Sequence, residues 1–151
     1  MYDFKDGNGS VLAHQHINGG GWVADSASVA DTCYVSSKAV VYGNAQLHDV
    51  VQVLDLAQVY GNAKLYDRVV LSGNSKVYGN AELYDDVIII NNSKVFDDAK
   101  LYDTAKLMDN SIARGEVKMY NNSILHENEE IFNDTKLYGD VVLAAEMSQD
   151  V

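Results

Sequence analysis

The pentapeptide Val-Tyr-Gly-Asn-Ala begins at Val41, again at Val59 and again at Val77, a spacing of 18 residues. A second phrase, Leu47-His-Asp-Val-Val, Leu65-Tyr-Asp-Arg-Val and Leu83-Tyr-Asp-Asp-Val, also recurs every 18 residues, offset by six from the first. The unit is therefore six residues, and three units make one cycle. Stepping by six from Val23 to Leu143 visits 21 positions, all of them apolar. Four residues after each lies a second ladder of mostly small residues (Ala27, Cys33, Ala39, Ala45, Val51 and onward), which Glu129 breaks and in which Met147 is oversized. Position three of the hexad is Gly, Asp or Asn in most units, and position four is rich in Asn and Asp. These residues accept left-handed backbone at little cost, so each hexad reads as a short strand followed by a tight turn.

The physical consequence is a coil with three flat sides. Positions five and one point inward, six and two outward, as in any strand, while three and four form the corner. One coil cannot bury its one-sided apolar face. Coils stacked about 4.8 Å apart pair their backbones and share a continuous core, so seven make a prism about 34 Å tall. An antiparallel barrel of short strands is the alternative, but only stacking explains an unbroken six-residue register over 126 residues.

An aliphatic residue with a small residue four places on resembles the hexapeptide repeat of left-handed parallel β-helices. The Val-Tyr-Gly-Asn-Ala wording is similar to a subgroup labelled as transferases and found in phage or prophage genomes. The resemblance spans Val23 to about Ser148, and the left hand comes from it alone, since the usual crossover rule gives the opposite hand. One departure is that position two here is usually aromatic, where many family members carry Gly or another small residue. The expected organisation is an all-β, left-handed parallel β-helix at 23–148, an N-terminal cap segment at 1–22 and a tail at 149–151.

A length of 151 residues fits one domain. The net charge of −11 disfavours direct binding to DNA phosphate or anionic membrane. No apolar run approaches membrane-spanning length and no basic-then-apolar leader opens the chain, which points to the cytoplasm, of a host cell if phage encoded. The single Cys33 falls on the inward ladder and reads as a packed thiol.

Residues 1–22 stand outside the register. Tyr2, Phe4, Val11, Leu12, Ile17 and Trp22 are candidates to cover the apolar triangle at the end of the stack. Asn18-Gly-Gly-Gly21 lacks the Lys-Ser/Thr and following helix of a phosphate loop. His14 and His16 share a strand face, but two histidines alone do not define a metal site, and no metal is expected.

Outward positions separate into rows. Tyr42, Tyr60, Tyr78 and Phe96 form one aromatic ladder; Tyr66, Tyr84, Tyr102, Tyr120 and Tyr138 form another. Stacked rings reinforce neighbouring coils, and a platform for sugar rings or partner side chains is the functional alternative. The third side carries Tyr34, Leu54, Val70, Ile88, Ile90, Met108, Ile124 and Val142, too apolar for solvent, and is expected to mediate self-association as a dimer or trimer, or to meet a protein partner.

Acidic residues collect at a corner: Asp31, Asp49, Asp67, Asp85 and Asp103, with Asp86 beside them. Carboxylates about 5 Å apart repel, so turn geometry, lysines, water or a cation must offset the repulsion. Calcium is disfavoured because the Gly-Gly-x-Gly-x-Asp pattern is missing. A regular row of carboxylates can also imitate a phosphate backbone and occupy a nucleic-acid-binding groove.

The hexapeptide resemblance also implies an acyltransferase alternative, with a general-base His between subunits and long loops holding a coenzyme. Here the hexads run without insertion, His48 and His126 are the only coil histidines, and Leu125-His-Glu-Asn-Glu-Glu130 reads as a bulge or weakened coil. No catalytic or cofactor-binding residue is assigned. The expected function is a non-catalytic, acidic, rigid protein-interaction module. It is read as a phage or mobile-element accessory, anti-CRISPR-like, that inhibits a host nucleic-acid-binding defence system by nucleic-acid mimicry. The alternatives are a transferase with an inter-subunit site and a structural spacer or carbohydrate-binding surface.

Overall fold

The computed structural model describes residues 1–143. Ala144, Met147, the tail at 149–151 and any capping by 146–151 lie outside the described residues. The chain opens with a hairpin of β1 (Tyr2–Asp3) and β2 (Ser10–Val11), followed by β3 (Ala13–Gln15) antiparallel to β4 (Trp22–Ala24). From β5 (Ser28–Val29), β6 (Tyr34–Val35) and β7 (Val40–Val41) to β24 (Val142–Leu143), every hexad contributes a two-residue strand. The result is a parallel β-solenoid of about seven coils of about 18 residues, with three parallel sheets. The first side has eight strands, starting with β3, β4 and β7; the second has seven, starting with β5; the third has seven, starting with β6. Among the described residues no helix is long and apolar enough to cross a membrane.

Two observations explain why this sequence coils. Each strand meets its neighbour in a register of 18 residues, Val41 on Val59, Leu47 on Leu65 and Val53 on Leu71. The backbone closes the same way throughout: the amide of Ser28 donates to the Ala45 carbonyl and that of Tyr34 to the Val51 carbonyl, both at 2.9 Å. At the corners, all seventeen residues at position three from Gly43 to Gly139 take φ between 55° and 77°. Asp25, Asp31 and Ser37, the corners of the first coil, do not share this left-handed turn.

Inside, the aliphatic and small ladders merge into one core from Val23 to Ile131, with Cys33 fully enclosed. Each fully buried Leu or Val contributes roughly 1.5–3 kcal/mol relative to exposure. Ser75, Ser93, Ser111 and Ser123 also point into this core. Ser111 Oγ donates to the Met108 carbonyl at 2.8 Å and Ser123 Oγ to that of Tyr120 at 2.9 Å, whereas Ser75 Oγ has no partner.

The cap differs from the expectation. Tyr2, Phe4, Val11 and Trp22 do not cover the apolar triangle; they pack outside the first side with Ala24, Val40 and Tyr42. Ala24 stands where later coils carry an aromatic ring, and Phe4 fills the gap by stacking on Tyr42 at 4.9 Å. Leu12 and Ile17 are exposed. The end is closed instead by His16, buried with Nε2 3.0 Å from the Cys33 carbonyl oxygen, and by Asn18, whose carbonyl accepts the Val35 amide. The chain passes so close that a Cβ on Gly21 would lie 2.3 Å from the Ser36 carbonyl oxygen.

Of the two expectations for the segment around Glu129, a bulge or a weakened coil, the bulge is not found, whereas burial is less complete there. Ile112 pairs with Glu130 and Ala113 with Ile131 in the ordinary register, and Glu127 adopts the left-handed corner at φ 60°. Glu129 enters a coil near the C-terminal end where burial is less complete, so the backbone accommodates it without a shift.

Candidate interaction surfaces

The acidic corner between the second and third sides is built by the backbone. Asp49 Oδ2 accepts the amide of Asp67 at 3.0 Å, Asp67 that of Asp85 at 3.0 Å, Asp85 that of Asp103 at 3.0 Å, and Asp103 that of Asn121 at 2.9 Å. Each carboxylate thus caps the left-handed turn of the next coil, and the amide donors offset repulsion along the row. Asn121 Oδ1 accepts the Gly139 amide at 3.1 Å, and at the next corner Asn91 Oδ1 accepts that of Asp109 at 3.0 Å, so a neutral amide does the same work. Asp31 lies outside this row, because the first-coil corner is not left-handed. Asp86 is held by Arg68 through two contacts of 2.6 and 3.0 Å, and hydrogen bonding to that guanidinium lowers its pKa.

Aromatic rings stack face to face along the prism axis, in one continuous row on the first side and in two separate runs, His48 with Tyr66 and Tyr84 to Tyr138, on the second. On the first side Tyr42, Tyr60, Tyr78 and Phe96 stack at 4.7–4.8 Å with interplanar angles of 3–6°. On the second, His48 stacks on Tyr66 at 5.0 Å, and Tyr84, Tyr102, Tyr120 and Tyr138 stack at 5.1–5.3 Å. A stacked ring offers an incoming sugar its edge rather than its face, which weakens the platform reading. Burial pushes the Tyr42 phenol up to about 12, and raises Tyr60, Tyr78, Tyr84 and Tyr102 in the same direction.

The third side is a flat apolar strip. Val70 sits beside Ile88 in register, and Leu54, Val70, Ile88, Ile90, Met108 and Ile124 shield one another to half-burial, while Tyr34 and Val142 are more open. Lys106 interrupts the strip. Two flanking residues extend it: Val50 and Leu56, 47% and 50% exposed at the two adjoining corners. Sequence reading missed both, although an apolar residue at position four, where Asn or Asp is the norm, was the available signal.

The remaining chemistry-bearing groups are dispersed. His14 Nδ1 lies 2.7 Å from Asp25 at the capped end, and His126 Nδ1 lies 3.6 Å from Asp109 near the other end. Burial raises the Cys33 thiol above its ordinary range, which makes it a poor nucleophile. Among the described residues no three His, Cys, Asp or Glu side chains converge as a metal site. Along the edge between the first and second sides runs a polar groove of about 750 Å3, walled by a carboxylate and carboxamide row and by a row made mostly of lysines. Comparison of the chain with models of known protein families, with curated proteins and with solved structures finds no match.

Proposed function

We propose that this chain is a rigid, non-catalytic binding module whose acidic corner and apolar third side dock together on one protein partner, at a surface that otherwise holds nucleic-acid phosphate. The observation that carries the reading is adjacency. The turns containing Asp49, Asp67 and Asp85 lead directly into the third-side strands Gln52–Val53, Val70–Leu71 and Ile88–Ile89, so fixed carboxylates border an apolar strip on one continuous surface. The row repeats negative charge about every 4.8 Å, against a rise of about 3.4 Å per phosphate in one DNA strand. A basic, partly apolar partner is recognised by both parts, while the net charge of −11 repels nucleic acid itself. On the hexapeptide resemblance the coil is left-handed, and the phage-like wording of the repeats supports reading the chain as a phage or mobile-element accessory that inhibits a host nucleic-acid-binding defence system in the host cytoplasm.

The test exploits Asn91 and Asn121. Replacing Asp49, Asp67, Asp85 and Asp103 by Asn keeps an acceptor for each amide while removing four charges. The variant should keep the wild-type circular dichroism spectrum. Immobilised wild-type chain should retain proteins eluted from a DNA matrix, duplex DNA should compete them away, and the Asn variant should lose them. Equal retention by both chains, or no competition by DNA, would refute the reading.

A further inference from the structure

The groove between the first and second sides carries two straight rows of opposite charge. One row, at position four of its corner, contains Asp98, Glu116 and Asp134; the other, at the start of the second-side strands, contains Lys100, Lys118 and Lys136. The lysine row is straight because Lys100, Lys118 and Lys136 pair in register, one coil apart. All six side chains are exposed. Lys100 reaches down to Glu82 at 3.6 Å, but among the described residues Lys118, Lys136, Glu116 and Asp134 make no ion pair. Three consecutive coils therefore present an acid and a lysine side by side, each facing outward.

From this pattern we infer that two copies of the chain pair side by side, pointing the same way, through this groove. The argument is symmetry. A twofold axis parallel to the prism exchanges left and right while keeping height, so each acid of one copy faces the lysine of the same coil in the other: Asp98 with Lys100, Glu116 with Lys118 and Asp134 with Lys136, each twice. Turning the second copy upside down places acid against acid and lysine against lysine. The charge rows thus select a second copy as occupant and fix its direction. This edge lies opposite the third side of the triangle, so pairing leaves the apolar strip and acidic corner of both copies outward. The inference does not depend on what those surfaces bind.

Exposed ion pairs are individually weak, so the pairing is salt-sensitive. At 0.1 M salt the screening length is about 10 Å, which damps repulsion between the two acidic bodies but spares contacts within the groove; at 1 M it falls to about 3 Å. Light scattering should give a dimer mass at 0.1 M and a monomer mass at 1 M. Asp98, Glu116 and Asp134 changed together to Lys bring the net charge nearer zero, yet should abolish the dimer because both rows become positive. Lys100, Lys118 and Lys136 changed together to Glu should do likewise, and mixing the two variants should restore a dimer. Carbodiimide treatment of mixed light and heavy-isotope wild-type chains should join Lys118 of one copy to Glu116 of the other. A wild-type monomer at 0.1 M, a dimer that survives 1 M salt or either triple variant, or cross-links between distant coils would overturn the proposal.

Discussion

Two kinds of corner hold the same backbone angle by different means. At Gly43, Gly61 and Gly79 the left-handed turn, φ 67–68°, is taken by a residue with no side chain, which therefore offers no acceptor to the amide of Gly61, Gly79 or Asp97 beside it in the next coil. At Asp49, Asp67, Asp85 and Asp103 the same turn, φ 58–63°, is taken by a residue that pays a steric penalty and offsets it by capping the next coil at 2.9–3.0 Å. The difference shows that the acidic row is part of the scaffold before it is a surface. Any charge it lends to a partner comes in addition to a structural duty, and the two can be separated because Asn performs only one of them.

The largest effect should come from removing the acceptors altogether. Changing Asp49, Asp67, Asp85 and Asp103 together to Ala leaves four left-handed corners with a Cβ and no cap, at about 1 kcal/mol of lost hydrogen bonding each and a further penalty for the turn. Urea unfolding followed by circular dichroism should show a loss of at least about 4 kcal/mol for the Ala set and less than about 1 kcal/mol for the Asn set. Equal losses would mean that the carboxylates stabilise by charge, not as acceptors, and would erase the distinction between the two kinds of corner.

A second difference lies one residue earlier. Tyr42, Tyr60 and Tyr78 precede glycine corners, whereas Tyr84 and Tyr102 precede Asp85 and Asp103. Burial is the leading cause of the raised pKa in all five, and an aspartate adds to it at both kinds of corner: Asp6 at Tyr42, Asp97 at Tyr78, Asp85 and Asp103 at Tyr84, and Asp103 at Tyr102. A phenol whose folded pKa lies above its unfolded value of about 10 favours the folded state at lower pH. That contribution is complete below about pH 10 and disappears as the pH rises through the folded value, near 12 for Tyr42. The urea midpoint should therefore hold up to about pH 9.5 and fall steeply from pH 10 to 12. A Tyr42→Phe chain, with no phenol to ionise at that position, should fall less. A midpoint indifferent to pH over that range would show that the stacked phenols ionise as freely as in the unfolded chain.

Most of the coil was legible because a hexad has few ways to be satisfied. Inward aliphatics at every sixth residue and turn formers at position three leave one stacking register, and Val41, Val59 and Val77 indeed lie one above another. The cap was illegible because residues 1–22 follow no period. Its one clue was Ala24, the small residue at an aromatic position, which marks the gap that Phe4 fills. The function of the Asp row was illegible for a different reason: an Asp in a left-handed turn looks the same whether its carboxylate meets water or the next coil. The exchange of Asp for Asn at 91 and 121 pointed to an acceptor rather than a charge, but only the register places that acceptor beneath an amide.

The smallest effect should come from converting one kind of corner into the other. A Cβ on Gly61 would lie 2.9 Å from the Gly79 amide nitrogen, closer than Cβ atoms come to backbone, so the coil above must shift. Gly61→Ala should cost about 1–2 kcal/mol, since it adds the crowding and the left-handed penalty without an acceptor. Gly61→Asp adds the same crowding together with a carboxylate aimed at the Gly79 amide, so it should recover about 1 kcal/mol of that loss. The measured difference between the Asp and Ala chains, taken from urea midpoints at constant slope, is thus the value of one cap within an otherwise unchanged coil. If Asp is no better than Ala, the glycine corners are held too tightly for a side chain to turn upward. The backbone at Asp49, Asp67, Asp85 and Asp103 would then differ from them in more than hydrogen bonding.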